Sequence, residues 1–325
     1  MRTADFDYEL PPELIAQHPP AERDAARMLV LEPASGAVSH TSVRELPHYL
    51  DPGDVLVLND SRVIPARLIG RRRDGGEAEV LLLRPVDGDR HRWEALTRPA
   101  RRLHAGAQVW FDGSNLAVSI DARHGETATV RLTGVADPLA EVRRIGQMVF
   151  AAEEGSAAAP TAGLHFTPEL LSAIRHRGVD IAFVTLHVGV DTFRPIRVDD
   201  PARHAIHREW FRIEEATASA INRARQRGGR VVAVGTTSVR VLETAAEGSL
   251  VRPGEGWTGL LILPGHQFRV VDAMLTNFHL PKSSLLMLVS AFAGRERVLA
   301  AYAEAIRERY RFYSFGDCMF IAAHV

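Results

Sequence analysis

The pattern of apolar and polar positions divides the chain into three stretches. In the first, the unbroken apolar run Val55–Leu58 predicts a buried strand, which the turn formers of NDS bring to an end. Between Val63 and Gln147, short β-like runs such as EVLLLR, RWEALT and TATVRL alternate with Gly, Asp and Asn turns, which predicts an all-β module of sandwich or barrel type. After Gly155, strand and helix patterns alternate, and this favours an α/β core.

The order of these stretches predicts one discontinuous domain that contains another. Residues 1–62 hold too little strand material to form a core of their own, so we expect them to join residues 148–325 in a single α/β core. Residues 63–147 are then a β domain inserted into that core. A length of 325 residues is compatible with two domains of this kind.

Composition places the chain among ordinary globular proteins, since 46% of its residues are hydrophobic and 24% are charged. The 39 basic and 40 acidic residues leave a formal charge of -1, so any surface for nucleic acid must be a local patch. A single cysteine, Cys318, excludes a disulfide framework and suits a reducing compartment, and we therefore expect a cytoplasmic protein. We expect no membrane segment, because the most apolar stretch, Leu285–Ala293, is too short to cross a bilayer.

The segment RVVAVGTTSVRVLE predicts a strand, a turn at Gly235 and then a helix that opens with three hydroxyl residues. The free N–H groups and the positive dipole end of that helix would meet Thr236, Thr237 and Ser238, a geometry that binds anions. A phosphate and a carboxylate would fit equally well. Simple capping of the helix by one hydroxyl is the structural alternative.

Two histidines lie at predicted element boundaries. In PTAGLHFTPELL, His165 comes just before a helix whose predicted cap is Thr167, and the shaped turn around it suggests a nearby ligand. His187 ends the apolar strand IAFVTLHV, and Asp191 follows it, so both are expected at the carboxyl edge of the sheet, where open α/β sheets bind ligands. A structural histidine is the alternative at each position.

The string HAIHRE, which contains His204, His207 and Glu209, has a spacing that could hold a divalent metal on one helical face. No second histidine-rich segment or nearby cysteine supports a metal. A solvated helix start explains the spacing as well. We therefore favour hydrogen bonding or acid–base work for His207 and expect no metal.

The densest polar cluster is LTNFHLPKSSLLM, where a group of polar side chains interrupts two apolar stretches and is expected to line a pocket. Lys282 in this cluster is the sole lysine of the chain. Our hypothesis is that a compact ammonium is required there, so that Lys282→Arg would remove most activity without unfolding the protein. Chance retention of one lysine is the alternative.

Two further segments carry candidate chemistry. In RYRFYSFGDCMF, the rings are expected to pack, and Asp317 could bring a carboxylate to the pocket. The inserted module carries arginine groups that are candidates for salt-sensitive phosphate contacts, although solvated surface charge explains them as well. These candidates are Arg71, Arg72, Arg73, Arg98, Arg101 and Arg102.

The blocks NDSRVIPARL, PTAGLHFT, LHVGVDTFRPI, VGTTSVRVLE, LTNFHLPKSSLLMLVSAFAG and YRFYSFGD closely resemble the S-adenosylmethionine:tRNA ribosyltransferase-isomerases of queuosine biosynthesis. The resemblance spans nearly the whole chain. It implies an α/β core interrupted by a β-barrel, and a transferase that moves and isomerises the ribosyl group of S-adenosylmethionine onto the aminomethyl-deazaguanine base of a tRNA anticodon. Epoxyqueuosine would form, with release of adenine and methionine. The expected partners are S-adenosylmethionine and tRNA, with the enzyme acting as a monomer.

Such a reaction needs a base near the sulfonium-activated ribose carbon and groups that hold the cofactor. The catalytic candidates are His165, His187, His207 and His279, with Asp191 and Asp317 as orienting or accepting carboxylates. The cofactor-binding candidates are Asn59, Asp60, Ser61, Arg62, Gly235, Thr236, Thr237, Ser238, Arg240, Thr276, Asn277, Lys282 and Ser283.

The chain departs from the family at one place. Members carry a Pro-Leu-Pro-Pro-Tyr-Ile stretch after the barrel, whereas here EVRRIGQMVFAAEEGS runs straight through. A catalytically impaired tRNA-binding homologue is therefore one alternative. A methyltransferase is another, but GEGWTG, the only candidate glycine-rich turn, lies between a loop and a strand and not between a strand and a helix.

Overall fold

The computed structural model describes residues 1–61, 66–86, 89–125, 127–146, 161–188, 196–204, 206 and 208–322. The chain forms two compact units, one made of Met1–Ser61 with Pro160–Val325 and the other of Arg62–Ala159. No helix among these described ranges has the length and apolar character needed to cross a membrane.

Strands and helices are numbered here in chain order. The strands are β1 Arg27–Glu32, β2 Ala37–Ser42, β3 Val55–Asn59, β4 Arg67–Arg72, β5 Glu77–Val86, β6 Asp89–Arg98, β7 Gln108–Trp110, β8 Ala117–His124, β9 Thr127–Thr133, β10 Asp180–Leu186, β11 Glu209–Ile213, β12 Val231–Val234, β13 Ala246–Glu247, β14 Leu250–Val251, β15 Gly254–Thr258, β16 Ala273–Asn277 and β17 Cys318–Ile321. The α-helices are α1 Pro138–Ile145, α2 Pro168–His176, α3 Glu215–Gln226, α4 Gly235–Thr244, α5 Ser284–Ala293 and α6 Arg295–Arg307.

The first unit is built on a nine-stranded sheet with the order β15-β11-β10-β3-β12-β16-β17-β1-β2. Its centre is parallel, because β3 runs parallel to both β10 and β12, and β12 runs parallel to β16. β17 is antiparallel to β16 and pairs Cys318 with Asn277. The carboxyl ends of four parallel strands and the amino end of β17 therefore meet at one edge of the sheet.

Alternation along the central strands places a core on each face of this sheet. Val55 and Val57 of β3 belong to the core that includes residues of α3, α4, α5 and α6, whereas Leu56 and Leu58 belong to the core that includes residues of α2. All five residues of β3 and all four of β12 are buried, as the unbroken apolar runs predict for strands covered on both faces. The mixed α/β class expected from the sequence is confirmed.

The second unit contains a six-stranded closed barrel with the strand order β4-β5-β6-β9-β8-β7. Alternate residues such as Leu68, Val80 and Val118 are fully buried inside it. Gly70 lies where β4 approaches β7 so closely that a Cβ would fall 2.4 Å from the carbonyl oxygen of Trp110. Only glycine fits that position without a shift of the backbone.

Candidate functional site

The carboxyl edge of the parallel strands brings many of the predicted site residues together. Asn59 ends β3, His187 follows β10, Gly235 follows β12 and Asn277 ends β16. Asp317 comes directly before β17 and so reaches the same edge. Because β12 lies between β3 and β16, the amino end of α4 is at the centre of this edge. A crevice at the carboxyl ends of strands is the usual ligand site of an open α/β sheet.

At one side of the centre, the Asn277 side chain organises a buried hydrogen-bond cluster. Its Nδ2 donates to His165 Nε2 at 3.3 Å, and its Oδ1 accepts from the Thr161 hydroxyl at 3.1 Å. His165 Nδ1 lies 3.4 Å from the carbonyl oxygen of Arg23 and must donate to it. Burial lowers the pKa of His165, which keeps the ring neutral. Both ring nitrogens are thus engaged, and the tautomer is fixed.

The Asp317 carboxylate holds the backbone around this cluster. Its two oxygens accept the N–H groups of Arg27 at 2.9 Å and Arg311 at 2.8 Å, and only 3% of the residue is exposed. Its carbonyl oxygen accepts a second hydrogen bond from Asn277 Nδ2 at 3.4 Å. With both oxygens bound by main-chain donors, Asp317 positions the start of β17 and its neighbours.

His279 is buried behind the edge. Its Nε2 lies 2.9 Å from the Thr276 hydroxyl, and its backbone N–H and C=O bind the hydroxyls of Tyr302 and Tyr8. Burial lowers the pKa of His279 to about 3, so the ring is neutral at physiological pH. The two tyrosines were not among the predicted site residues, because they come from distant parts of the chain.

On the other side of the centre, Asn59 joins the ends of β3 and β10. Its Oδ1 accepts the N–H groups of Ser61 at 3.0 Å and Leu186 at 3.1 Å, and its Nδ2 donates to the Leu186 carbonyl. The Ser61 hydroxyl, held in this way, lies 3.1 Å from His187 Nδ1. Asp60 accepts a hydrogen bond from Thr185 at 2.7 Å. Asn59 therefore acts through the backbone to present Ser61 and His187.

The ring of His187 belongs to an aromatic row that local sequence does not predict. His187 stacks on Trp210 with ring centroids 5.0 Å apart, and Trp210 is in register with Trp257 on β15. His187 keeps part of its surface exposed, and burial of the rest lowers its pKa. Two tryptophans on short strands were the available signal, but their register is set by strand pairing and not by local sequence.

The first turn of α4 carries the predicted hydroxyl residues, all of them buried. No side chain of the described residues caps this helix, and Ser238 instead donates to the Val234 carbonyl at 2.8 Å. The Thr237 hydroxyl is buried and has no hydrogen-bond partner in the part of the chain that the structure describes. Gly235 has a φ of +82°, which glycine adopts at little cost.

Arg240, also predicted as a binding residue, is only 2% exposed and forms an ion pair with Glu209, which is 3% exposed. Its Nε donates to the Leu260 carbonyl at 3.0 Å, whereas its Nη2 is buried without a partner. Local sequence does not reveal this pair, because Glu209 and Arg240 are 31 positions apart.

Lys282 has a φ of +58°, and its ammonium forms an ion pair with Asp7 at 2.7 Å while its side chain remains 41% exposed. Its backbone N–H donates to the Phe6 carbonyl at 3.0 Å. Ser283 caps α5 by accepting the N–H of Leu286 at 3.2 Å. These two residues thus fix the amino-terminal segment and the start of α5.

The remaining predicted residues lie elsewhere. Arg62, Asp191 and His207 are outside the described residues, as is the segment in which the family's proline-rich stretch is missing. The six arginine candidates of the second unit are exposed except Arg72, which is half-buried and pairs with Asp74 at 2.9 Å. Arg102 lies 3.8 Å from the same Asp74 oxygen, so the two arginine groups form one patch. Among the described residues, no group of His, Cys, Asp and Glu side chains is arranged to hold a metal ion.

Comparisons with known proteins show what the whole chain resembles. A family described as queuosine biosynthesis protein matches residues 3–321. Proteins named S-adenosylmethionine:tRNA ribosyltransferase-isomerase from Symbiobacterium thermophilum and Citrifermentans bemidjiense are 51% and 50% identical, each covering 99% of this chain and 100% of the relative. A crystal structure of S-adenosylmethionine tRNA ribosyltransferase from Thermotoga maritima matches with a TM-score of 0.60 and 41% identity, covering 98% of this chain and 99% of that one.

Proposed function

The chain belongs to the queuosine biosynthesis protein family, and we propose that the carboxyl edge of its sheet carries out the S-adenosylmethionine:tRNA ribosyltransferase-isomerase reaction. The observation that carries this proposal is the full-length identity of about half to relatives that bear this name. These relatives are named as enzymes, so the comparisons give no support to a homologue that binds tRNA without turnover. A methyltransferase role is disfavoured as well, because Gly254–Thr258 is itself a strand and not a turn between strand and helix.

In the proposed reaction, the ribosyl group of S-adenosylmethionine is transferred and isomerised onto the aminomethyl-deazaguanine base of a tRNA anticodon. Epoxyqueuosine forms, and adenine and methionine leave. The sulfonium acidifies the ribose carbon beside it, so the protein has to supply a group that accepts a proton there. The site must also present hydrogen-bond donors to the methionyl part of the substrate.

Among the described histidines, His187 is the one whose surroundings best suit a proton acceptor. Both nitrogens of His165 are engaged, and His279 is buried with a pKa lowered to about 3. His187 bonds to Ser61 through Nδ1 and retains exposed ring surface. We therefore assign proton acceptance to His187, and the Asn277–His165 cluster positions the opposite wall of the site.

The residues that would hold S-adenosylmethionine are those of the same edge, above all the first turn of α4. The Thr237 hydroxyl supports this placement, because it is buried with no hydrogen-bond partner among the described residues, whereas buried polar groups are nearly always paired. Lys282, held by Asp7, would contribute through its position at the start of α5. Its need for an ammonium stays a prediction, tested by Lys282→Arg.

For the tRNA, we propose that the arginine patch around Asp74 contacts phosphates. We further propose that residues 63–147 act as a barrel domain inserted into the α/β core, and that the protein is a cytoplasmic monomer. The closed barrel and the division of the chain into two units support the inserted domain. Exposed arginines beside one acidic residue are the expected chemistry of a salt-sensitive phosphate surface.

One incubation tests the function. Purified protein is mixed with labelled S-adenosylmethionine and tRNA that carries the precursor base, and the products are separated. Free adenine with methionine is the expected result, whereas S-adenosylhomocysteine would indicate methylation and no product would indicate a binder. His187→Gln should slow adenine release by about 100-fold, the usual contribution of a general base. His176→Gln, an exposed histidine on α2, is the matched control and should react at the wild-type rate.

A further inference from the structure

The first turn of α4 is a set of hydrogen-bond donors that the described residues leave without acceptors. The first N–H groups of a helix have no acceptor within the helix, and α4 has no side-chain cap. Its amino end also carries the positive end of the helix dipole. Only an acceptor that is not part of the described chain would complete this turn.

A second observation, independent of the helix end, points to a ligand. Thr237 is only 5% exposed, and its hydroxyl has no hydrogen-bond partner. A Cβ built on Gly235 would lie 3.5 Å from that hydroxyl and 3.4 Å from the Cβ of Ala162, so the hydroxyl lies over the glycine at the helix start. Buried polar groups are nearly always paired, so a buried hydroxyl with no partner in the described part of the chain points to a ligand that accepts its hydrogen bond.

Arg240 adds a third donor on the same helix face, one turn further along. Its Nη2 is buried without a partner, although Nε and Nη1 bind the Leu260 carbonyl and the Glu209 carboxylate. Glu209 offsets the charge of the Arg240 guanidinium. The preference of the turn for an anion therefore comes from its hydrogen-bond donors and from the helix dipole. The backbone N–H groups of the turn and Arg240 Nη2 can only donate hydrogen bonds, and the Thr237 hydroxyl can donate one as well. The ligand must therefore supply acceptors.

We propose that the first turn of α4 binds the α-carboxylate of the methionyl part of S-adenosylmethionine, with Thr237 donating to it. This inference rests on the proposed function, which supplies the substrate. S-adenosylmethionine carries a single anionic group, the carboxylate, whereas its ammonium and sulfonium are repelled by the positive end of a helix. A side chain at Gly235 would fill the space beside Ala162 and the Thr237 hydroxyl.

Calorimetric titration of the full-length protein tests this assignment with two ligands. The first is S-adenosylmethionine, and the second is decarboxylated S-adenosylmethionine, which lacks only the carboxylate. The wild-type protein should bind the first at least about 10-fold more tightly, since a hydrogen bond to a charged group is worth that factor or more. Thr237→Val should remove most of this preference by weakening the first ligand and leaving the second unchanged. Thr237→Ser should restore it.

The melting temperature distinguishes a variant that has lost the binding site from one that no longer folds. Thr237→Val deletes a hydroxyl that has no partner, so its melting temperature without ligand should equal or exceed that of the wild type. Thr217→Val is the matched control, because the Thr217 hydroxyl donates to the Phe183 carbonyl at 3.0 Å, away from this turn. That control should keep the full carboxylate preference.

The outcomes are distinct. If the wild-type protein binds both ligands equally, or if Thr237→Val keeps the preference, the inference is wrong while the proposed function stands. If the wild-type protein does not bind S-adenosylmethionine at all, the proposed function is wrong and the inference with it. If Thr237→Val weakens tRNA binding but leaves the preference intact, the turn binds a phosphate, and the carboxylate assignment is overturned.

Discussion

The buried ion pair between Arg240 and Glu209 predicts a large loss of unfolding free energy when one partner is removed. Both side chains are at least 97% buried, so Arg240→Met would leave the Glu209 carboxylate without its guanidinium partner in the core. Breaking a buried pair on one side costs about 3–5 kcal/mol of unfolding free energy. That cost includes the loss of the hydrogen bond from Arg240 Nε to the Leu260 carbonyl. We therefore expect Arg240→Met to remove a large share of the stability of the α/β unit.

Replacing both partners should cost much less than the two single changes together. In Arg240→Met/Glu209→Leu both charges of this pair are removed together, and apolar replacements of buried pairs are often close to neutral. We expect the double variant to be at least about 2 kcal/mol more stable than additivity predicts, the coupling expected for residues in direct contact. Arg212→Met is the matched control, since its pair with Glu214 at 3.4 Å is exposed and should contribute about 1 kcal/mol or less.

Urea unfolding followed by tryptophan fluorescence measures these differences. Two of the four tryptophans, Trp93 and Trp110, lie in the barrel strands, whereas Trp210 and Trp257 lie in the sheet of the α/β unit. A Trp93→Phe/Trp110→Phe background therefore reports unfolding of the α/β unit alone. An Arg240→Met variant within about 1 kcal/mol of its parent, or an additive double variant, would refute the reasoning.

The buried side chains of His279 and Asn277 and the arginine patch allow three further predictions. Burial lowers the pKa of His279 to about 3, whereas the unfolded value is about 6.5, so unfolding takes up a proton when the pH is below about 6.5. As the pH falls from 8 to 5, this residue should therefore lower the free energy of unfolding by about 2 kcal/mol. The free energy of unfolding of His279→Gln should depend correspondingly less on pH. Asn277→Leu leaves His165 Nε2 buried without its donor and should lower the unfolding free energy by about 1–3 kcal/mol, as measured by urea titration. Charge reversal at Arg73 and Arg101 should weaken tRNA binding in filter assays and reduce the salt slope by about 0.9 per lost phosphate contact; an unchanged slope would remove the patch from the interface.

Local sequence was sufficient wherever one segment sets the geometry. The cap of α2 was predicted from Thr167 and Pro168, and the structure confirms it, with the Leu170 N–H bound to the Thr167 hydroxyl at 3.1 Å. The strand, turn and helix around Gly235 are confirmed for the same reason, since glycine, hydroxyl residues and apolar runs act over a few positions. The mixed α/β class also follows from such runs.

Long-range partners could not be predicted in the same way. The sequence shows Lys282 as a sole lysine but not that it pairs with Asp7, which is 275 positions away. It shows His187 at a strand end but not the Trp210 ring on which it stacks. Pairing between strands sets these contacts, and one sequence does not contain that register. The roles of the histidines therefore depend on hydrogen bonds that only the folded chain creates.

The place of β17 in the sheet has a consequence for synthesis of the chain on the ribosome. This strand is the last one among the described residues, yet it lies between β16 and β1 and pairs with both. Until residue 321 has left the exit tunnel, the hairpin of β1 and β2 has no neighbour, and the edge of β1 stays open to wrong pairing. The barrel strands are complete about two hundred residues earlier. Slow translation of the segment before β17 would therefore prolong the interval in which the edge of β1 is exposed to wrong pairing.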